Sequence, residues 1–261
     1  MKPILIIGAV PEEIYPLCSA FKFAAEIKIG GRQAFRGKIA DKKITAVVTG
    51  PGLVNVTQAL TAAIEKSDPA IVIQTGCGGA YDTSELGIGD LGVAFEEIDF
   101  HLGLEPFPKK TSTPGQISYT DRKLPDPLPF PVLSKGGFDF TNRYPLDKHL
   151  TRWAFDLLSR TLNSMRIGAG PFVTVSTITA IESTAQSICR YFKPCIESME
   201  GSGAAHVCLF YELPFLEIRG VSNHVGKRNR NQWDLPIAFE TSAKAVKLIV
   251  ESLEGESFMC R

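Results

Sequence analysis

Charge of one sign is the first thing this chain lacks. Its 28 Lys and Arg residues balance 28 Asp and Glu, so the formal net charge is zero. That balance points to neither nucleic acid nor an acidic membrane surface as a partner. Long apolar runs are missing too: none approaches the roughly 18 residues a membrane helix needs. The apolar opening MKPILIIGAV is broken by Pro11 and two acids, so it reads as a buried first strand and not as a signal peptide core. The six cysteines, Cys18, Cys77, Cys189, Cys195, Cys208 and Cys260, form no CxxC or CxxH pair. This argues against a zinc site or a disulfide scaffold and for a reducing, cytoplasmic setting. The four histidines, His101, His149, His206 and His224, are scattered, with no pair at metal-ligand spacing, so no metal is expected. The glycine clusters at 50–52 and 76–79 are not followed by Gly-Lys-Ser/Thr and do not spell GxGxxG, and no GxSxG elbow occurs, which removes the common phosphate-loop and serine-hydrolase readings.

What is present is an alternation of short apolar runs and helical patterns. Residues 4–7 form an apolar run ending in Gly8-Ala9, and Pro11, Glu12 and Glu13 open a helix with acids at the positive end of its dipole. Residues 35–40 and 44–49 read as antiparallel strands around Asp41-Lys42-Lys43, closing in Gly50-Pro51-Gly52. A helix is expected over 55–65. A buried strand over 70–74 ends in the turn Thr75-Gly76-Cys77-Gly78-Gly79-Ala80. Strand-like runs at 91–98, 170–178 and 215–221 and helical patterns at 147–162, 183–192, 204–211 and 237–253 complete the alternation. Residues 103–146 are rich in Pro, Ser, Lys and Gly and read as a loop excursion, within which Phe138 and Phe140 either pack locally or close over a pocket. The expectation is α/β: a single domain over 1–261, with a mixed, mostly parallel twisted sheet flanked by helices.

Open α/β sheets bind ligands at strand ends. Those positions gather Glu12 and Glu13, the 50–52 turn, Thr75 to Gly79, Ser176 to Ile178, Met199-Glu200 and Ser222-Asn223. Two carboxylates from distant segments plus an amide suit acid–base work and hydroxyl recognition. Each has a plainer reading as well. Either early glutamate serves as an ordinary first-turn residue, and glycine turns serve close packing as readily as backbone approach to a ligand. His206 lies on an apolar helix and reads as a core residue. The run Lys227-Arg228-Asn229-Arg230-Asn231 is either a solvated loop or an anion site next to Asn223.

The pieces GAVPEEI (8–14), GPG (50–52), QTGCGGA (74–80), GIGD (87–90), SMEGSGAAHVC (198–208) and EIRGVSN (217–223) together resemble the nucleoside phosphorylase superfamily, specifically its methylthioadenosine/S-adenosylhomocysteine nucleosidase type. SMEGSGAAHVC is the specific signal. The resemblance covers nearly the whole chain except about 103–146 and implies a nucleoside phosphorylase-like fold and hydrolysis of an N-glycosidic bond, with neither metal nor organic cofactor. It implies that Glu13 activates water, that Glu200 holds the ribose hydroxyls with Met199 packed on the sugar, and that Ser176 to Ile178 meet the purine through backbone groups. Thr75, Gly76 and Cys77 lie where sugar and base pass the sheet edge, and Ser222 precedes the base-reading position. Arg219 also matches a family position, beside its plainer reading as a structural ion pair. The nucleosidase branch is typically dimeric, so a homodimer is implied.

One departure concerns the substrate. Enzymes of this type that release adenine carry an aspartate where this chain has Asn223. An amide cannot supply a carboxylic acid's proton, but it donates to a 6-oxo oxygen, so Asn223 fits hypoxanthine better than adenine. The tail VSNHVGKRNRNQWD resembles the futalosine hydrolases, a menaquinone-pathway branch of the superfamily. Their substrate carries a carboxylate that Lys227, Arg228 or Arg230 could pair with. The alternatives are a methylthioadenosine or aminodeoxyfutalosine nucleosidase that tolerates Asn223, a phosphorylase using Arg32 or Arg36 for phosphate, and a nucleoside-binding protein without turnover.

Overall fold

The computed structural model describes residues 2–105, 125–227 and 229–253. β1 (Ile4–Gly8) runs straight into α1 (Pro11–Cys18). A meander of β2 (Lys22–Ile29), β3 (Arg32–Ile39) and β4 (Lys42–Val48) leads to α2 (Leu53–Ser67). β5 (Ile71–Gln74), β6 (Cys77–Ala80) and β7 (Leu91–Asp99) follow. Next come a small hairpin, β8 (Leu133–Lys135) with β9 (Phe138–Phe140), then β10 (Arg143–Pro145) and α3 (Lys148–Thr161). β11 (Ile167–Thr174), α4 (Glu182–Phe192), β12 (Ile196–Ser198), α5 (Gly201–Phe210), β13 (Phe215–His224) and α6 (Leu235–Ser252) complete the order.

The main sheet has eleven strands in the order β10-β7-β11-β12-β6-β13-β5-β1-β4-β3-β2. β1 and β5 are buried at every position, and apolar but for Gln74, because both faces of a central parallel strand are covered. Alternate side chains of β1 serve opposite layers. Leu5 and Ile7 pack with Val56 and Leu60 of α2 and Ala204 and Cys208 of α5. Ile4 and Ile6 pack with Ile14 and Leu17 of α1 and Val246 and Ile249 of α6. This is the single α/β domain with a mixed sheet flanked by helices that the alternation predicts; antiparallel pairings are nearly as many as parallel ones.

β13 positions the site. Phe215 to Glu217 pair with β5, Ile218 to Gly220 with β7, and Gly220 to His224 with β6. The additional β7–β13 pairing closes β7, β11, β12, β6 and β13 on themselves. Gly220 is required where β13 meets α6, since a side chain there would run into the backbone of Ala238.

Several boundaries differ from expectation. The glycine segment after β5 is mostly a strand, so only Thr75 and Gly76 link β5 to β6; glycine here permits close strand packing. β11 stops at Thr174, leaving Ser176 to Ile178 beyond the sheet. β13 runs to His224, so Ser222 and Asn223 lie inside a strand and not after it. β2 escaped notice because it is an edge strand without a buried run. Within the excursion, β10 joins the sheet beside β7 and buries Tyr144; residues 106–124 of that expectation lie outside the described ones. Phe138 is exposed and Phe140 packs beside Tyr144, so neither closes over the cavity described below. Among the described residues no helix is long and apolar enough to cross a membrane.

Candidate active site

Glu13 sits in the first turn of α1, where its side chain folds back onto the end of β1. The N–H groups of Ala9 and Val10 donate to Oε2 at 2.5 and 3.3 Å, and Cys77 N–H donates to Oε1 at 3.0 Å. Gly76 makes this possible. It adopts φ +144°, and a side chain there would strike the Glu13 carboxylate. Glu13 is 2 % exposed. Burial pushes its pKa up, the Arg219 guanidinium opposes that, and nearby Glu200 adds to it. A carboxyl raised above its ordinary range is suited to general-base work near neutral pH.

Glu200 lies at the start of α5. Gly52 N–H donates to its Oε1 at 2.9 Å, and Arg219 Nη2 donates to Oε2 at 3.2 Å. Arg219 is fully buried; its Nε donates to Glu217 at 2.9 Å and its Nη1 to the carbonyl of Cys77 at 3.2 Å. Glu217 in turn faces Glu97 across Gly201, where any side chain would meet both carboxyl groups. Thr174 Oγ1 donates to Glu97 at 2.7 Å. Glu97 Oε1 and Glu217 Oε2 have no other donor, and a proton retained on Glu97 supplies one. Burial and Glu217 push the Glu97 pKa well up.

At the far end of the site, Ser222 Oγ donates to Asn223 Oδ1 at 2.8 Å, and Asn223 Nδ2 donates to the carbonyl of His224 at 3.3 Å. A cavity of about 240 Å³ connects the two ends. Its wall includes Glu13, Cys77, Glu200, Arg219, Ser222 and Asn223, with Ile178 and Met199 as apolar contributors. Trp233, Leu235 and Phe239 supply further apolar wall from the segment leading into α6. A mostly apolar slot with a buried base at one end and an amide at the other suits a sugar joined to a flat ring.

Not every expected residue reaches that wall. Thr75 and Gly76 are not part of it, and Thr75 Oγ1 is buried without a hydrogen-bond partner. Ser176 is exposed, and its N–H donates to His101 Nδ1 at 3.1 Å. Lys227 and Arg230 are exposed and not part of the wall; Arg228 lies outside the described residues. Sequence reasoning missed Glu197 and the Trp233, Leu235 and Phe239 wall. A signal for Glu197 existed, because an acid inside the short buried strand β12 is out of place unless something needs it. Gly87, Gly89 and Gly92 do match the spacing GxGxxG, but they lead into β7 and open no helix.

Residues 3–253 match the phosphorylase superfamily. The chain is similar to the 5'-methylthioadenosine/S-adenosylhomocysteine nucleosidase of Psychromonas ingrahamii, 27% identical over 253 residues that cover 95% of this chain and 98% of that protein. It is similar to the futalosine hydrolase of Thermus thermophilus, 28% identical over 207 residues that cover 79% of this chain and 81% of that one. Its fold matches the 5'-methylthioadenosine/S-adenosylhomocysteine nucleosidase of Neisseria meningitidis in complex with methylthio-immucillin-A. The TM-score is 0.78 at 25% identity, and the match covers 97% of this chain and 100% of that one. The match runs from β1, which carries the approach to Glu13, to the end of α6, and so takes in every element that builds the cavity: the chain belongs to the phosphorylase superfamily.

Proposed function

We propose that this N-glycosidic hydrolase of the purine nucleosidase type cleaves futalosine and releases hypoxanthine, a step of menaquinone biosynthesis. The observation that carries the reading is the orientation of Asn223. Its Oδ1 accepts from Ser222, which leaves an Nδ2 hydrogen to donate into the cavity. A 6-oxo oxygen accepts that hydrogen, whereas a 6-amino group offers only another donor.

In this reading the glycosidic bond breaks with its electron pair leaving on the purine, which the Asn223 amide stabilises and solvent protonates, while Glu13 takes a proton from the water that adds to C1′. Positive charge develops at C1′, and the carboxylates of Glu13 and Glu200 stabilise it. Glu200, held by Gly52 and Arg219, accepts from the ribose hydroxyls, and Met199 packs against the sugar. Water is favoured over phosphate as nucleophile. The N–H groups of Ala9, Val10 and Cys77, which would cradle an anion, are spent on Glu13. Arg32 near the 50–52 turn is engaged by Asn55 and Gln58. Lys227 and Arg230 meet the substrate carboxylate in this reading only outside the cavity wall, and the working unit is a homodimer.

The second reading is a methylthioadenosine-type or aminodeoxyfutalosine nucleosidase that releases adenine. It is supported by the Psychromonas relative, which matches along nearly its whole length. Product analysis separates the two. The protein is incubated without phosphate, separately with futalosine, its 6-amino analogue, methylthioadenosine and inosine, and the released base is identified. Hypoxanthine from futalosine is the expected outcome. Adenine released from methylthioadenosine at a comparable rate overturns the futalosine reading.

A further inference from the structure

A second cavity lies beside the first, and the mechanism above gives it no task. It holds about 570 Å³ between α4 and the short turn Asp82–Ser84, a size that suits a small ligand. Tyr81, Ala185 and Val225, all buried, give it an apolar floor. Two of these three also touch the active site. Tyr81 OH donates to Glu197 Oε2 at 2.8 Å, and Glu197 lies in the wall of the active-site cavity. Val225 covers Gly79, another residue of that wall: a Cβ on Gly79 would lie 2.9 Å from Val225 Cγ2. Tyr81 and Val225 are thus a partition that the two cavities share.

Charge is sorted along this second cavity. α4 turns one face to it, with Glu182 at the start of the helix, Ala185 one turn on, and Arg190 in the last turn. Lys193 follows as the C-cap. Arg190 and Lys193 make no hydrogen bond or ion pair among the described residues. Glu182 is at the far end, where Gln186 donates to it at 3.3 Å. Asp82 is the acid at the cation end, since Thr83 beside it donates to the carbonyl of Pro194 at 3.1 Å. Two cations against one acid leave that end positive. Arg190 lies about 7.5 Å along the helix axis from Ala185. A ring resting on Tyr81, Ala185 and Val225 therefore brings a carboxylate on its edge to the Arg190 guanidinium, which can take it in a two-pronged hydrogen bond.

We propose that this second cavity binds a small aromatic carboxylate, and that its occupant changes the affinity of the active site through Tyr81. The inference goes beyond the nucleosidase reading and stands whichever purine is released. Burial and Glu197 push the Tyr81 pKa well up, so its hydroxyl stays a neutral donor. A ring packed on Tyr81 bears on the group that holds Glu197, so filling one cavity alters the wall of the other. The coupling is reciprocal: a base bound in the active site must change the affinity of the second cavity by the same factor.

The probe is 2-naphthoate, titrated calorimetrically into the whole protein with and without a saturating purine: hypoxanthine, or adenine should that be the base released. The wild type should bind naphthoate alongside the base, with its Kd shifted at least about fivefold by the base. Arg190→Gln and Lys193→Gln, both exposed and outside the active-site cavity, should each weaken naphthoate about tenfold and leave turnover unchanged. Tyr81→Phe should still bind naphthoate but lose the shift. Absence of naphthoate binding overturns the inference, as does competition between naphthoate and the base for one site. Binding indifferent to both Arg190 and Lys193 would return them to ordinary helix-end cations and overturn it as well. A Kd equal with and without the base removes the coupling through Tyr81. Release of adenine instead of hypoxanthine sinks the futalosine reading and leaves this inference standing.

Discussion

Arg219 and Glu200 form a buried ion pair, Nη2 to Oε2 at 3.2 Å, with side chains 1 % and 5 % exposed. The pair joins β13 to the start of α5 and fixes the carboxylate assigned to the ribose. Because Arg219 also holds Glu217 at 2.9 Å, its removal strands two buried carboxylates. Arg219→Met should therefore lower folding stability by about 3–5 kcal/mol. Denaturant unfolding measures it, and a loss below about 1 kcal/mol would contradict the ion-pair account.

Glu13→Gln keeps the shape of the site and removes the base. Turnover should fall by about 10²–10⁴, while binding of the free purine is retained. The pH profile carries a second expectation. Glu13 must be ionised to act, and burial raises its pKa above the ordinary 4.5. The acidic limb of kcat/KM should accordingly lie above that value. A rate unchanged in Glu13→Gln would remove the residue from the mechanism.

Gly76→Ala tests the link between backbone and base. The substitution places a methyl against the Glu13 carboxylate at a φ of +144°. It should lower kcat at least about tenfold and cost about 1–3 kcal/mol of stability. Activity and stability both near wild type would show that Glu13 has room to move.

Glu97 makes stability depend on pH. Its folded pKa lies well above the ordinary 4.5, so the folded chain keeps a proton that the unfolded chain releases. That contribution is fully present below 4.5 and is lost as pH rises through the folded value. Each unit of pH in that window removes up to about 1.4 kcal/mol. Glu97→Gln replaces the protonated carboxyl with a neutral donor of similar shape. Its stability should fall less than the wild type's as pH rises above 4.5. Parallel curves for the two proteins would place the retained proton elsewhere.

Local pattern was enough for the layered α/β architecture. The apolar runs of β1 and β5 announce strands covered on both faces, and Asp147, whose side chain accepts from the N–H groups of His149 and Leu150, marks where α3 begins. Glu12 and Glu13, Glu200 and Asn223 were legible as strand-end candidates because each sits near a glycine or small-residue turn or the end of an apolar run, while the choice of Glu13 and the roles of all three came from the family resemblance. Such features belong to neighbouring residues and survive in a one-dimensional reading. The cavity itself does not. β13 changes partners along its length, from β5 to β7 to β6, with a register shift between Val221 and Asn223. Only that non-local pairing sets Glu197 opposite Asn223 across Gly79, brings Arg219 between Glu200 and Glu217, and leaves Lys227 and Arg230 outside the wall. Side chains distant in the chain are brought together by hydrogen-bond register, which no run of composition or periodicity records.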